Sequence, residues 1–201
     1  FSKGIKQYED PELAKIRSKH IKWKAIEDLD QILLKFESNF TKNGGKVIWA
    51  KDGSNAIAEI KKIVAECQAK SVVKSKSMTT EEIELNKELE SINIEVNETD
   101  LGEFIVQLCN EPPYHIVTPA MHKSKEDIAT LFHEKFNTSV DASAEEITAF
   151  ARKKLREKFK SAEIGVTGAN FIIAEEGAIS ITENEGNARL TTACPKTHIV
   201  I

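Results

Sequence analysis

Between residues 12 and 40, Ile21, Ala25, Ile26, Leu29, Leu33, Phe36 and Phe40 recur at helical spacing with charged residues between them. That pattern predicts one long amphipathic helix, and Asn43-Gly44 supplies its C-terminal stop. The short β-type run GKVIWA follows, and then SNAIAEIKKIVAECQA, amphipathic at helical spacing with Ser54 or Asn55 available as its cap. KSVVKS reads as a strand, TTEEIELNKELESI as a helix starting near Thr79 or Thr80, and INIEVNETD as a strand. YHIVTPA reads as a further strand, followed by the helical segments SKEDIATLFHEKF and SAEEITAFARKKLREKF.

Strands alternating with helices at this spacing predict an α/β fold, with a Rossmann-like, mainly parallel sheet flanked by helices. The last forty residues change style. Short β runs (EIGVTG, FIIAEE, AISITE, THIVI) are separated by Gly and Asn, which predicts hairpins or a mixed extension of the sheet. The division expected is a helical segment over residues 1–44 and an α/β domain over 45–201, β-rich toward its end. The chain starts at Phe1 without an initiator methionine and stops inside a strand-like run, so it reads as a piece of a longer protein.

Composition narrows the field. Lys and Arg number 28 against 32 Asp and Glu, a net charge of −4, which offers no footprint for nucleic acid. No apolar run approaches the roughly 20 residues of a membrane span. Cys67, Cys109 and Cys194 are far apart with no CxxC spacing, which predicts reduced thiols in the cytoplasm. It also argues against an iron–sulfur cluster ligated within this segment, and no metal site is expected.

In open α/β sheets ligands bind beyond the carboxyl ends of the strands. Lys74, Ser75, Lys76 and Ser77 lie there, directly before a helix whose free N–H groups favour an anion. The plainer alternative is a turn whose hydroxyl only caps the helix. Asp100 and Glu103 surround Gly102 at the end of another strand, where a carboxylate can act as a base or simply cap a helix. His115 and His122 flank a Pro-containing loop as possible substrate contacts, or as hydrogen-bonded structural histidines.

The stretch VTGANFIIAEEGAISITENEGNARL concentrates glycine and asparagine. Gly165, Thr167, Gly168, Asn170, Asn184, Gly186, Asn187 and Arg189 are candidate ligand contacts, with Arg189 offering its fork to a carboxylate or phosphate. Glu183 and Glu185 are candidate carboxylates for catalysis, as is Asp100. A structural hairpin is the competing reading. The GVTGAN, NEGNAR and KSKS loops are expected to line one pocket.

Taken together, VVKSKSM, ETDLGE, EPPYHIVTPAMHK, LREKF, GVTGANF and the NEGNARLTT run resemble the lactate utilization protein B family, whose shared unit is the LUD domain. The resemblance runs over nearly the whole chain. It implies a fold similar to the sugar-phosphate isomerase and CoA-transferase superfamily. It implies that a later segment, not present here, carries cysteine-ligated iron–sulfur clusters. The implied activity is cytoplasmic oxidation of L-lactate to pyruvate with other lactate-utilization subunits, this domain binding a small carboxylate or phosphate or assembling the complex. No catalytic set comes with the resemblance. Two further readings stay open: an isomerase- or acyl-CoA-transferase-like enzyme with Glu183 or Glu185 as nucleophile or base, and a scaffold with vestigial pockets.

Overall fold

The computed structural model describes residues 3–115, 117–183 and 185–201. The chain divides into two units, one made of the chain up to Val47 together with Phe171–Ser180, the other of Ile48–Asn170 and Ile181–Ile201.

In the first unit the periodic stretch 12–40 is two helices rather than one. Helix α1 spans Pro11–Glu27 and α2 spans Leu29–Lys42. Asp28 makes the break, its φ of −103° and ψ of 24° leaving the helical region. Because only one residue is lost, the hydrophobic spacing runs on and hides the joint. Asp10 caps α1 through Leu13 N–H, with Pro11 at the first turn, yet α1 buries none of its residues. The unit is completed by strands β4 (Phe171–Ile173) and β5 (Ala178–Ser180), an antiparallel hairpin. Asn39 and Asn43 of α2 donate side-chain N–H groups to the carbonyls of Ala174, Glu175, Glu176 and Gly177, so the hairpin turn is stitched to the helix.

The second unit holds a four-stranded sheet, all parallel, in the order β2-β1-β3-β6: β1 Ser71–Lys74, β2 Glu95–Glu98, β3 Ile164–Thr167 and β6 Thr197–Val200. Among the described residues, antiparallel pairing is thus confined to the hairpin. Helices α3 (Gly53–Glu66) and α5 (Leu85–Glu90) cover one face with Ile57, Ile60, Val64, Leu85 and Leu89, packed on Val72, Val96, Ile164 and Val166. The opposite face packs Val73 against Phe104 and Ile105 of α6 (Leu101–Cys109), Phe132 of α7 (Lys125–Phe136), and Ile147, Leu155 and Phe159 of α8 (Ala144–Ser161). Val72 and Val73 go to opposite cores because side chains alternate along a strand.

Local rules account for most boundaries. Ser124 and Ser143 form capping boxes with Asp127 and Glu146 at the starts of α7 and α8. Helix α3 is capped by Asp52, not by Ser54 or Asn55. The predicted helix over 79–92 breaks at the left-handed Glu84 (φ 51°) into α4 (Met78–Glu82) and α5, and Ser77 rather than Thr79 or Thr80 caps α4. Two expected strands do not form. Residues 45–50 have β-type composition without a strand, since that preference needs a neighbouring strand to express it. Residues 114–120 loop instead, Tyr114 N–H reaching Pro119 O, in a segment that Pro112, Pro113 and Pro119 keep out of a ladder; Ile116 lies outside the described residues.

Helix α9 (Asn187–Ala193) was not expected, and its seat explains Gly165. A Cβ at Gly165 would come within 1.9 Å of Thr191 O, so the strand lacks a side chain where the helix backbone crosses it. Gly165→Ala is expected to cost about 1–3 kcal/mol, the scale of overpacking, read as a lower urea midpoint at unchanged slope. Gly168→Ala should cost less, because its Cβ meets the rotatable Ser77 hydroxyl at 3.0 Å. Wild-type stability for Gly165→Ala would contradict this seat for α9.

Candidate functional site

The connection leaving β1 runs to the face covered by α3 and α5, while β3 leads on to α9, which packs over Gly165 on the other face. Adjacent strands whose connections depart to opposite faces open a crevice at their carboxyl ends. The Lys74–Ser77 and Thr167–Asn170 segments lie at the carboxyl ends of β1 and β3. Ser75 N–H donates to Val166 O at 2.9 Å, and the Cβ a side chain would add at Gly168 lies 3.0 Å from Ser77 Oγ, so the two loops touch.

Lys74 and Glu98 are register partners at the ends of parallel β1 and β2. Being opposite each other, their side chains emerge on the same face, and Lys74 Nζ sits 2.9 Å from Glu98 Oε1. Both are dry, with side chains 1% and 3% exposed. The other two ammonium protons of Lys74 are met by Thr80 Oγ1 at 3.0 Å and Glu81 Oε1 at 2.7 Å. Glu98 Oε1 also accepts from Asn86 Nδ2 at 2.6 Å. Glu98 Oε2 and Asn86 Oδ1 are left buried without a partner. One proton on Glu98 Oε2 would answer both, closing an acid–amide ring.

The electrostatics point the same way. Burial pushes the Glu98 carboxyl above the usual carboxylate range, only partly opposed by Lys74 and Asn86. Burial alone would lower Lys74, but the Glu98 and Glu81 carboxylates outweigh it and raise its pKa. Lys74 thus stays charged, with Glu98 and the half-exposed Glu81 as its acidic neighbours. Glu103, in the first turn of α6, has a side chain 5% exposed with Lys76 Nζ at 3.7 Å. Burial first, and then the nearby Glu98, push its pKa up to about 7. Asp100 caps α6 by accepting from Gly102 and Glu103 N–H. Glu185 lies against Asp100, and desolvation together with that carboxylate raises its pKa.

The structure therefore gathers Lys74, Ser75, Lys76, Ser77, Gly168, Asp100, Glu103 and Glu185, and adds Glu81, Asn86 and Glu98. Other sequence candidates are engaged elsewhere. Thr167 is fully buried with its Oγ1 2.8 Å from His198 Nε2. Gly165 lies inside β3. Asn170 Oδ1 accepts from Thr182 N–H, and Asn187 Oδ1 from Ala188 N–H. Gly186, at φ 81°, is the N-cap of α9. Arg189 is 78% exposed, its guanidinium 2.6 Å from Glu183, whose other oxygen accepts Arg189 N–H. Glu183 is thus committed to the start of α9. His122 pairs with Glu111 at 2.9 Å under the Tyr114 ring, and His115 Nδ1 accepts from Val117 N–H, both in an exposed loop. Asn184 lies outside the described residues. Glu81, Asn86 and Glu98 were missed in the sequence. A signal existed: the runs SVVK and EVNE both end on a charged residue, of opposite sign.

Two outcomes follow from the buried charges. Glu103 binds its proton more tightly when folded, so its stabilising contribution is full below its ordinary pKa of 4.5 and is lost as pH rises to about 7. Relative to Glu103→Gln, the wild type should lose up to about 3 kcal/mol of stability across that window, measured by denaturation at a series of pH values. A difference that does not vary with pH would remove Glu103 from the titrating groups. Lys74→Met should cost about 3–5 kcal/mol by leaving buried carboxyls uncompensated, and adding Glu98→Gln should return part of it.

Comparison with known proteins now bears on this geometry. The family model of the LUD domain matches residues 33–201. The chain is 48% identical over 185 residues to lactate utilization protein B of Shouchella clausii, covering 92% of this chain and 39% of that protein. It is 47% identical over 181 residues to lactate utilization protein B 2 of Bacillus mycoides, covering 90% and 38%. The lactate utilization protein B of Bacillus pumilus is 47% identical over 182 residues. The chain thus spans about two fifths of the length of these relatives. No solved structure matches. Since the family model takes in all four strands of the parallel sheet and every side chain of the cluster at their ends, the chain belongs to the LUD domain family.

Proposed function

We propose that this chain is the LUD domain of an iron–sulfur subunit in a lactate-utilization complex that oxidises L-lactate to pyruvate, working in the cytoplasm with other lactate-utilization subunits. The observation that supports this is the 47–48% identity, over nine-tenths of the chain, to proteins named lactate utilization protein B. The domain's part is to bind a small anion at the carboxyl ends of β1 and β3, or to assemble the complex. Of the Lys74–Ser77 loop, Lys76 is the partly exposed member, while Ser75 and Ser77 are buried. Lys74 has spent its three donors inside the protein.

Oxidising a 2-hydroxy acid to a 2-oxo acid removes two electrons and two protons. Iron–sulfur clusters would supply the electron path. Among the described residues no three His, Cys, Asp or Glu side chains are placed to hold a metal ion. Cys67 ends α3 beside Thr197, Cys109 ends α6 and Cys194 ends α9, which is not a cluster ligand set. On this reading the clusters are carried by other parts of the complex, while this domain's carboxyls can hold and release protons.

One observation favours a second reading, an isomerase- or acyl-CoA-transferase-like enzyme using a glutamate of the 183–185 turn. Glu185 has a raised pKa beside Asp100, as a carboxyl that alternates between acid and base would. Purified alone, the chain is expected to bind no iron or sulfide on reconstitution and to reduce no dye acceptor with L-lactate. A protein spanning the relatives' full length is expected to do the first, and the second once its partner subunits are added. Lactate-dependent dye reduction by this chain alone would overturn the proposal, and turnover of a sugar phosphate or an acyl-CoA would favour the second reading.

A further inference from the structure

An anion site and the composition of this cluster pull against each other. Glu81 comes from α4, Glu98 from β2, Asp100 and Glu103 from the start of α6, and Glu185 from the turn before α9; among the described residues Lys74 and Lys76 oppose them. Fully ionised, such a group repels anions. Lys74 cannot help, because all three of its protons are used. Lys76 is different: it is partly exposed, and its nearest acidic oxygen, on Glu103, lies at 3.7 Å, beyond hydrogen-bonding distance. Glu103 is equally unusual. Among the described residues its carboxyl accepts no hydrogen bond although its side chain is almost wholly buried. That leaves the carboxyl's hydrogen-bonding capacity open to a further group.

We propose that Lys76 and Glu103 form one binding dyad for the carboxylate of a small 2-hydroxy or 2-oxo acid, Lys76 supplying the charge and Glu103, carrying a proton, the hydrogen bond. The proposal rests on the lactate-utilization reading and deepens it. One uncommitted ammonium and one O–H donor match a monoanion. A phosphate dianion would face Glu98, Asp100 and Glu185 with a single cation to balance it. The step is a protonation equilibrium. Above pH about 7 Glu103 is ionised, and the incoming carboxylate adds to the push that Glu98 and Glu81 already exert on it against Lys76 and Lys74. Glu103 then takes one proton from solvent as the ligand binds, and returns it on release. The Glu185–Asp100 pair stands nearby with Lys76 acting on it. Affinity therefore falls as pH rises above 7, by roughly tenfold per unit.

Titration calorimetry of this chain with L-lactate, pyruvate, acetate and inorganic phosphate at pH 6 and pH 8, in buffers of different ionisation heat, tests this. The expected result is tighter carboxylate binding at pH 6, with close to one proton taken up per ligand at pH 8. Glu103→Gln keeps an N–H donor, so it should bind at both pH values without proton uptake. Lys76→Met should bind at neither while melting near the wild type. Equal affinity at both pH values, an unchanged pH dependence in Glu103→Gln, or phosphate binding tighter than every carboxylate overturns the dyad. Acetate bound with proton uptake but lactate and pyruvate refused would uphold the dyad's chemistry and sink the lactate reading. Failure of every monocarboxylate removes the dyad and leaves the lactate-utilization reading with its assembly role.

Discussion

A lysine and a glutamate meet in register at the dry ends of two parallel strands. That contact organises everything around it. Lys74 and Glu98 cannot face water, so each must find partners within the fold. Lys74 reaches up to Thr80 and Glu81 and thereby fixes α4 over the end of β1. Glu98 reaches to Asn86 and fixes α5 over the end of β2. The crossover from β1 to β2 is thus tied at both helices by two side chains at the strand ends. Such an arrangement gains little net energy over apolar packing, but it is intolerant of losing one member.

Around that anchor the cluster divides by commitment. Lys74, Glu98 and Asn86 are consumed by one another, and Asp100 is consumed by the start of α6. Glu183 and Arg189, both prominent in the sequence, are consumed by the start of α9. Among the described members of the cluster, Lys76 and Glu103 are left without a side-chain hydrogen bond, and Glu185 is engaged with Asp100. A binding function at this end of the sheet has these groups to draw on.

The layered α/β architecture was legible because its signals are local and repeated. The alternation of SVVK and EVNE with helical periodicity needed nothing but period to be read. The errors arose where a long-range partner decides. Residues 45–50 have strand composition but no neighbouring strand, and the 114–120 segment is governed by its prolines. Asp28 and Glu84 interrupt helices without disturbing the apolar spacing, so periodicity passes over them. At the candidate site, the sequence located the loops that follow β1 and β3, since strand ends can be found from pattern alone. It could not tell which charges were free. Arg189 looked like a ligand clamp because its partner six residues away is a folding outcome, and Glu98 looked like an ordinary strand residue because its register with Lys74 is one too.

Gly165 has a further consequence, concerning how distant positions are coupled. Helix α9 begins at the left-handed Gly186, directly after the turn that brings Glu185 against Asp100. The far end of that short helix rests on the bare backbone of Gly165, where Thr191 O leaves no room for a side chain. The helix acts as a rigid arm with one end on the sheet and the other holding an acidic turn. A methyl group added at Gly165 would press on Thr191 O, and so on the helix that follows the Glu185 turn.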